Sequence, residues 1–547
     1  MSTVNTKKNS SIRILERKSN EGDIAAAFQL ADYYTQGKYV DKNNGLAKKY
    51  YDIAFEKFQH QNLQILSVKL VNFRAFEDSE LILCTQNNLT VIVGNNGAGK
   101  TTFLDSMTMS ISWLIKRITG LGSGGEFIEE MDIKNDCTVD YGEVITGIKV
   151  NSFLNCEVVL STGKIGSNVS KRNQLKNIRQ LADIYKYSSS RDSNFNLPIF
   201  AYYSVERALE ISSKDIKEYY KFSEQAKWDK FEGYDKATNG KADFRLFFRW
   251  FKFQEDIANS DSKVNQKLIS EIEKIEAELS SELLKTIEKR AQNEGGVDDF
   301  LISFKKDKLS KIEELKSKLE SKEEPNNILD VVKEAIYQFM PSFSNIRIQR
   351  TPDLDMLIDK DNKSLSVLQL SQGEKSLLAL VADIARRLAM LNSSLTNPLQ
   401  GHGVVMIDEI DLHLHPNWQQ KVIPNILKAF PNIQFIVTTH SPQVLSTVPS
   451  ESIRMLNNGK IFSAPKGSKG AESSRLLKRI FDVPPRPEQD ENSIMLKEYE
   501  KLVYLDDWDS EKARKMRSNL NNIFSNEEPK LTELDLYIEN RTWELDN

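Results

Sequence analysis

Cysteine and long apolar runs are both scarce in this sequence. Its three cysteines, Cys84, Cys137 and Cys156, show no CxxC or Cys/His spacing, so neither a disulfide framework nor a zinc site is supported. No stretch of about 18 apolar residues occurs, and the polar segment Met1 to Arg17 lacks the apolar centre of a signal peptide. We therefore expect a cytoplasmic protein that is neither secreted nor membrane-spanning.

A strong excess of one charge is absent as well. Lys and Arg number 74 and Asp and Glu number 78, which gives a net charge of −4. Any contact with nucleic acid must therefore come from a local patch of cations, because the bulk charge does not favour a polyanion. The 547 residues are enough for about two to four structural units, since a typical domain has about 150 residues.

The texture of the chain changes several times. After a polar tail, Ala25 to Tyr34 and Leu46 to Phe55 have the small and aromatic residues of two packed helices, similar to one Sel-type repeat. One repeat is too small to stand alone, so we expect a hairpin that docks on the next domain. From Leu63 the chain is rich in strand-forming residues, and from Lys217 to Tyr337 it is helical. Beyond Ile346 strands and helices alternate, which predicts a mainly parallel sheet covered by helices.

The strongest motif lies between an apolar strand and an apolar helix. The run from Gly94 to Thr101, GNNGAGKT, matches GxxxxGK[ST], in which backbone N–H groups wrap the phosphates of a nucleotide. Lys100 would neutralise the β and γ oxygens, and the Thr101 hydroxyl would hold Mg²⁺. The residues expected at the nucleotide are Asn95, Asn96, Gly97, Ala98, Gly99, Lys100, Thr101 and Thr102.

A second motif selects among the classes of P-loop ATPase. The run LSQGE from Leu370 to Glu374 opens an apolar helix and precedes the apolar strand Val404 to Ile407. It resembles the ABC signature, which grips the γ-phosphate of ATP bound to the opposite subunit. Ser371 followed by Glu374 is also an ordinary capping box, and the two interpretations are compatible. The expected signature residues are Ser371, Gln372, Gly373 and Glu374.

Acidic residues follow the strand Val404 to Ile407. Asp408 is expected to bind Mg²⁺, and Glu409 to polarise the attacking water. Asp411 resembles a D-loop aspartate, which crosses the interface of a dimer. His440 follows the next apolar strand, and this position fits the switch histidine that senses the γ-phosphate in ABC ATPases.

Together these motifs resemble the RecF/SMC/OLD branch of ABC ATPases and differ from transporter cassettes. The likeness runs from Leu63 to Ser441 apart from the helical part, and it implies that Arg74 contacts the nucleotide. No Q-loop glutamine is identified. The segments that carry the resemblance are Asn72 to Phe76, Gly94 to Thr102, Leu370 to Ser376, Val404 to Pro416 and Thr438 to Pro442.

A closer likeness is to the PtuA ATPases of Septu-type and retron-encoded anti-phage systems. It is carried by the N-terminal hairpin, Tyr202 to Arg207, the aromatic run Phe244 to Phe253 and the helical tail. This resemblance implies a homodimer with composite ATP sites, ATP and Mg²⁺ as cofactors, and control of a separate HNH nuclease. In retron versions a reverse transcriptase and its RNA-linked DNA are further partners. Cleavage would then belong to the partner and not to this chain.

The implied fold class is α/β. It is an ABC-type P-loop ATPase head with an inserted antiparallel helical hairpin, an N-terminal Sel-type hairpin and a helical C-terminal tail. The expected segments are 1–62 for the tail and hairpin, 63–215 for the first half of the head, 216–344 for the insert, 345–465 for the second half of the head and 466–547 for the appendage.

Two features imitate a nuclease site. Asp507-Trp508-Asp509 could belong to a Toprim nuclease, but its charged helical surroundings favour a solvated surface. Pro352-Asp353 with Asp361-Asn362-Lys363 imitates a PD…DxK signature, but the strand-turn-strand pattern predicts a β-hairpin.

Other residues admit a metal or nucleic-acid interpretation. His413 and His415 lack further ligands in the sequence and are expected at the D-loop. Phe244 to Phe253 mixes aromatics with cations and could stack bases, although an amphipathic helix that buries its rings is favoured. The face from Lys305 to Lys318 could hold nucleic acid or simply be solvated. Three functions stay open on the residues alone: an ATPase that regulates a nuclease, a self-sufficient ATP-dependent nuclease and a repair-type DNA clamp.

Overall fold

A computed structural model describes most of the chain. Parts of the region predicted to be helical, 217–227, 281–298 and 321–327, lie outside the described residues, as does Cys137. Two compact units are present, Met1–Lys469 and Gly470–Asn547. The described residues are 10–58, 62–120, 124–135, 139–150, 154–167, 172–208, 228–242, 244–280, 299–320 and 328–546.

The N-terminal region has one more helix than the sequence predicts. Ser10–Asn20, expected to belong to a polar tail, forms α1 and buries Ile12 against α2 and α3. The expectation was wrong because Ile12 and Leu15, three residues apart, lie on one face of an otherwise polar segment and pack against α2 and α3. The two expected helices are α2, Ile24–Gln36, and α3, Asn44–Phe58.

This helical region packs on the next domain, as expected of a docking hairpin. The rings of Phe28 and Tyr51 contact Tyr187 of α5, the helix Lys176–Arg191. The amide of Gln180 donates to the carbonyl of Ala25 at 2.9 Å. Aromatic contacts of this kind contribute about 0.5–1.5 kcal/mol beyond their buried area, so the hairpin is attached by specific packing.

Two sheets form the head. The first is antiparallel, in the order β2-β1-β4-β5. The second has the order β13-β12-β3-β11-β10-β6, and every pair in it is parallel except β12 with β13. Strands of the first are β1 Leu63–Phe73, β2 Phe76–Ile82, β4 Tyr141–Val150 and β5 Leu154–Gly163; those of the second are β3 Leu89–Gly94, β6 Ile199–Tyr203, β10 Gly403–Ile407, β11 Ile433–Thr438, β12 Ile453–Asn457 and β13 Lys460–Ser463.

The parallel sheet decides where the candidate site lies. In the register, Thr438 pairs with Ile92, and Ile407 pairs with both Val437 and Tyr203. The carboxyl ends of β3, β10 and β11 therefore meet at one edge, which is where ligands bind in open α/β sheets. Helices of the head are α4 Lys100–Thr119, α5, α8 Ile328–Phe339, α9 Gln372–Leu391, α10 Pro416–Ala429 and the short α11 Pro442–Leu445.

The helical insert is an antiparallel pair, α6 Phe244–Ser280 and α7 Asp299–Glu320. Ion pairs join Glu278 of α6 to Lys308 of α7 and Glu276 of α6 to Lys316 of α7. The earlier residue of α6 pairs with the later residue of α7, as in an antiparallel pair. The seam between the two helices is formed by Ile272, Ile275, Ile312 and Leu315. The α/β fold class with an inserted helical hairpin is thus confirmed.

Two predictions for the insert and its flank have different outcomes. The aromatic run at the start of α6 buries Phe247, Phe248, Trp250 and Phe251, as expected of an amphipathic helix. Residues 228–242, expected to be helical, form only the short 3-10 helix Lys230–Tyr234 followed by turns, and they bury Tyr234 and Ala237. Gly233 in this segment lies so close to Leu391 that a Cβ atom would approach its side chain to 2.7 Å, so this position requires glycine.

The suspected nuclease signature is a β-hairpin, as predicted. β7 Phe343–Gln349, β8 Asp355–Lys360 and β9 Lys363–Ser366 form an antiparallel sheet in chain order. Asp361 and Asn362 occupy the turn with φ of 49° and 63°, the left-handed pair that a tight hairpin turn requires.

The C-terminal unit has its own apolar core. Asp507 and Asp509 are exposed, as predicted, but they lie in a turn and Trp508 packs against this core. Its helices are α12 Ser473–Ile480, α13 Glu491–Tyr504, α14 Glu511–Ile523 and α15 Pro529–Asp546. Of the helices described in the two units, none is both long and apolar enough to cross a membrane.

A buried ion cluster joins α9 to β6 and to the turns at 228–242. Asp383, 1% exposed, pairs with Arg386 and Arg387 at 2.8 Å each and accepts a hydrogen bond from the Tyr203 hydroxyl. Arg387 also donates to the carbonyl of Gly233. Burial by itself would raise the pKa of Asp383, but the two guanidinium groups lower it to about 2. The negative charge of Asp383 therefore contributes to the stability of the folded first unit.

Replacing Asp383 by Asn should destabilise the first unit by about 3–5 kcal/mol, because two buried guanidinium groups lose their counter-charge. Calorimetric melting at neutral pH measures the change. Because the folded pKa is depressed, the contribution in the wild type is present above the unfolded value of 3.8 and is lost as the pH falls towards about 2. The exposed Asp78→Asn is the control, and equal melting temperatures for both variants would contradict the assignment.

Candidate functional site

The glycine loop between β3 and α4 packs closely against its surroundings at two of its glycines. Gly97 and Gly99 have φ of 79° and 95°, which favour glycine. A Cβ on Gly99 would meet the ring of Phe76 at 2.4 Å, and one on Gly94 would meet the Leu456 carbonyl at 2.6 Å. The predicted residues Asn95, Asn96, Gly97 and Ala98 form this loop, with Asn95 to Gly97 exposed. The loop thus presents its backbone, which is the requirement for a phosphate cradle.

Lys100 begins α4 beneath the loop. It is 7% exposed, and its ammonium group donates to the carbonyls of Gly94 at 3.0 Å and Asn95 at 3.3 Å. Burial lowers its pKa, while the carboxylates of Asp408 and Glu409 act in the opposite direction. The predicted Thr101 and Thr102 follow in the first turn, and Thr102 faces the core.

Asp408 lies at the centre of a chain of hydroxyl contacts. Thr101 of α4 donates to one carboxylate oxygen at 2.7 Å, and Thr438 of β11 donates to the other at 2.5 Å. The Thr438 hydroxyl also accepts from the backbone N–H of Glu409 at 2.7 Å. A hydroxyl beside a carboxylate is a donor set that suits Mg²⁺, which prefers hard oxygen ligands and few protein carboxylates. The residues at this point therefore fit the expected ion.

The remaining predicted residues of the site surround this chain. Glu409 has a φ of 47°, unusual for a residue other than glycine, and such outliers cluster at functional sites. His440 is half-buried, and burial followed by the charge of Lys100 lowers its pKa, which keeps its ring neutral at pH 7. Asp411 accepts a hydrogen bond from the hydroxyl of Thr439, the residue that follows Thr438. The structure thus brings Lys100, Thr101, Asp408, Glu409, Asp411 and His440 together.

The four signature residues lie at the amino end of α9. Ser371 is the N-cap and forms the expected capping box with Glu374. The carboxylate of Glu374 accepts from the Ser371 hydroxyl at 2.8 Å and from Lys360 of β8 at 2.6 Å. Burial disfavours its charge, but these hydrogen bonds, Lys360 first, lower its pKa. Ser371 and Gln372 are exposed, so the end of α9 faces solvent.

Gly373 connects the signature to the D-loop of the same chain. A Cβ at this position would lie 2.6 Å from the carbonyl oxygen of His413. His413 has a φ of 61°, and His415 accepts from the N–H of Asn417 as the N-cap of α10. Among the described residues no group of three histidine, cysteine or carboxylate side chains could hold a metal ion.

Arg74 lies beside α4, but its guanidinium is engaged by carboxylates. It pairs with Asp105 of α4 at 2.5 Å and with Asp132 at 2.9 Å, and Tyr202 donates to Asp105 at 3.0 Å. Burial acts to lower the pKa of Arg74, but the hydrogen bonds that it donates to Asp105 and Asp132 raise the pKa above its usual value. The contact of Arg74 with nucleotide stays a prediction.

Comparison with known proteins agrees with this arrangement. Residues 64–445 match the AAA ATPase domain family. The chain is 40% identical over 542 residues to the retron Ec83 probable ATPase of Escherichia coli, which covers 98% of both chains. It is 32% identical over 520 residues to the retron Vc95 probable ATPase of Vibrio cholerae serotype O1 biovar El Tor, covering 92% of this chain and 95% of that one. A stretch of 99 residues is 37% identical to Septu protein PtuA of Bacillus mycoides (strain KBAB4), 16% of this chain and 13% of the other.

The chain belongs to the PtuA-like ATPases of retron and Septu defence systems. It is therefore an ATPase whose nucleotide is ATP. In this PtuA-like ATPase, sequence motifs locate the glycine loop and the acidic strand end, but they did not predict three contacts of the site. They are made by Thr438, Lys360 and Asp105. Thr438 could have been found, because it stands two residues before His440 at the end of an apolar strand.

Thr438→Val should lower kcat for ATP hydrolysis while leaving KM within a few-fold of the wild type. It removes a hydrogen bond to a charged group, a loss of about 1.5–3 kcal/mol, which corresponds to roughly ten- to a hundred-fold in rate. Valine keeps the shape, so Asp408 and the backbone of Glu409 lose only their polar partner. Steady-state kinetics with Thr119→Val, a hydroxyl far along α4, as the control provide the measurement. A wild-type kcat for Thr438→Val would show that this hydroxyl does not position the site.

Proposed function

We propose that this protein is the ATPase subunit of an anti-phage defence complex, and that ATP bound between two copies controls a partner HNH nuclease. A reverse transcriptase with its RNA-linked DNA completes the complex, as the kinship with retron ATPases suggests. The observation that carries the proposal is the contact chain from Thr101 through Asp408 to Thr438. It joins the glycine loop to the acidic strand end in one polar centre.

Each residue of the centre has a role in the proposal. Lys100 and the loop residues Asn95 to Gly99 hold the phosphates, while Thr101 and Asp408 hold Mg²⁺, which supplies charge stabilisation at the transferred phosphoryl group. Glu409 accepts the proton of the attacking water. His440 contacts the γ-phosphate. All of these residues lie at the carboxyl edge of the parallel sheet.

The second copy supplies the signature. Ser371 and Gln372 are exposed at the amino end of α9, and helix amino ends attract anions. The capping box engages the backbone N–H groups of Ser371 and Glu374 with side-chain oxygens, and the exposed groups at this helix end belong to Ser371 and Gln372. These groups would reach the γ-phosphate of the ATP on the other copy, and Asp411 would cross the same interface.

We assign cleavage to a partner because the nuclease-like residues of this chain have structural roles. Asp359, next to the suspected signature, pairs with Arg347 at 2.9 Å and accepts from Asn345 at 2.7 Å. Asp361 and Asn362 form the hairpin turn. A self-sufficient nuclease is therefore the less favoured alternative, and a repair-type clamp is less favoured because the relatives with nearly full coverage are retron ATPases.

Glu409→Gln should accumulate as an ATP-bound dimer, because the phosphates are held while water activation is lost. Ser371→Arg, introduced into that variant, should return the protein to monomer by placing a bulky side chain at the trans contact. Analytical ultracentrifugation with and without Mg-ATP measures both effects. The matched control is Ser474→Arg, at the exposed first turn of α12. ATP-dependent dimers of normal stability in the Ser371→Arg variant would exclude the signature from the interface.

Nuclease output should depend on the ATP site. The chain is purified with the proteins encoded beside it, and DNA and RNA cleavage is compared for the wild type, Lys100→Ala and Glu409→Gln. A change of about ten-fold or more, the size of a 1.4 kcal/mol coupling, is expected in either direction. The control is Lys460→Ala on the edge strand β13. Equal cleavage in all four complexes would refute control by ATP, and cleavage by this chain alone would favour the self-sufficient nuclease.

A further inference from the structure

A large cavity lies apart from the ATP site. Its volume is about 1000 Å³, and it opens between the carboxyl end of α2, the end of α4 with the segment after it, and the start of α5. This volume is at the upper end for small-molecule sites and leaves room for a nucleotide. None of the described residues that line it contributes to the contact chain around Asp408.

Two aromatic rings are exposed at the cavity. Tyr39 is 63% exposed and Phe127 is 56% exposed. Each ring packs against a second aromatic side chain. The ring centres of Tyr33 and Tyr39 are 5.1 Å apart and those of Trp113 and Phe127 are 4.9 Å apart, both with edge-to-face geometry. Tyr39 also has a φ of 65°, a backbone conformation that is costly for a bulky residue. The fold therefore holds two aromatic rings exposed at the cavity, whereas a surface without a ligand would bury these rings or carry other residues.

Cations lie beside these rings. The Lys38 ammonium is 5.4 Å from the Tyr39 ring centre, and the Arg179 guanidinium is 5.5 Å from the Trp113 ring centre. Lys176 is a third exposed cation in the lining. Cations next to open rings can contact a phosphate while a base lies on the ring.

The two carboxylates of the cavity are already engaged. Both oxygens of Asp183 accept from Arg117 at 2.6 Å, and Asp32 accepts from the Tyr51 hydroxyl at 2.8 Å. With Arg117 neutralised by Asp183, the three remaining cations outweigh Asp32. The electrostatic balance of the cavity therefore favours an anion.

The rest of the lining distinguishes nucleic acid from a protein segment. Among the described lining residues Leu175 is the single aliphatic side chain, whereas five are amides. Protein partners are anchored by large apolar groups in desolvated pockets, and such a pocket is missing from this part of the lining. Amides can pair with the exposed edges of unpaired bases. The amides are Gln29, Gln36, Asn173, Gln174 and Gln180.

We infer that this cavity binds single-stranded nucleic acid, with bases on Tyr39 and Phe127 and phosphates on Lys38, Lys176 and Arg179. The inference rests on the proposed function only in that the complex is expected to contain a nucleic acid. Binding at the cavity does not require ATP. Its failure is therefore distinguishable from failure of the ATP-site proposal.

The test uses the full-length protein without ATP and fluorescein-labelled DNA and RNA single strands of about 16 nucleotides, near the upper end of known site sizes. Fluorescence anisotropy gives Kd between about 50 and 200 mM salt. The double variant Tyr39→Ala with Phe127→Ala should bind about ten-fold or more weakly, because two stacking rings are lost. Arg179→Glu replaces an exposed cation of the cavity and leaves both rings in place. It should weaken binding and reduce the salt dependence of Kd, because a contact with phosphate is lost.

Two variants on β13 serve as controls, Phe462→Ala for an exposed ring and Lys460→Glu for an exposed cation. All variants should melt and hydrolyse ATP like the wild type. Unchanged affinity in the cavity variants, equal losses in the controls, or no binding of single strands by the wild type would overturn the inference. Loss of a co-purified protein from the cavity variants with unchanged affinity for single strands would assign the cavity to a protein partner instead. Normal ATP-dependent dimers in those cases would leave the ATP-site proposal standing.

Discussion

The carboxylate of Asp408, held between two threonine hydroxyls, is the contact on which the rest of this structure depends. Thr101 reaches it from the first turn of α4, and Thr438 reaches it from the end of β11. These elements are adjacent because β3, β11 and β10 are parallel neighbours whose carboxyl ends coincide. A buried carboxylate needs such donors, since an unpartnered one would be costly to desolvate. The same hydroxyls that satisfy Asp408 therefore also locate the glycine loop relative to Glu409.

Local patterns in the sequence predicted the parts of the site that are built locally. The glycine loop, the strand that ends at Asp408 and the capping box at Ser371 each lie within one short segment, and each was found at its expected place. Contacts between distant segments could not be predicted: Lys360 reaches Glu374 from β8, and Asp105 links Arg74 with Tyr202. Local patterns also failed at Ser10–Asn20 and at residues 228–242, where burial against other elements decides the conformation. The strand predicted over Val404 to Ile407 begins one residue earlier, at Gly403, because apolar runs mark burial and not the first hydrogen bond.

The ion cluster at Asp383 links the acidic strand end to the turns that precede the helical insert. β6 runs beside β10, and the backbone N–H of Asp408 donates to the carbonyl of Tyr203 at 2.7 Å. The hydroxyl of Tyr203 is held by Asp383 of the signature helix, and Arg387 on the same helix donates to the turns that precede α6. Asp408, the signature helix and the approach to the insert are thus joined within a few buried contacts. A buried polar cluster of this kind has few alternative arrangements, because each unpaired member is costly.

Helix α4 connects the two ends of the first unit in a way that bears on regulation. Its amino end is the glycine loop, and Trp113 near its carboxyl end supports Phe127 at the cavity. α5, which packs along α4, provides both Arg179 at the cavity and Tyr187 under the N-terminal helices. A ligand at the cavity can influence the ATP site only if it binds one arrangement of these helices more tightly than another.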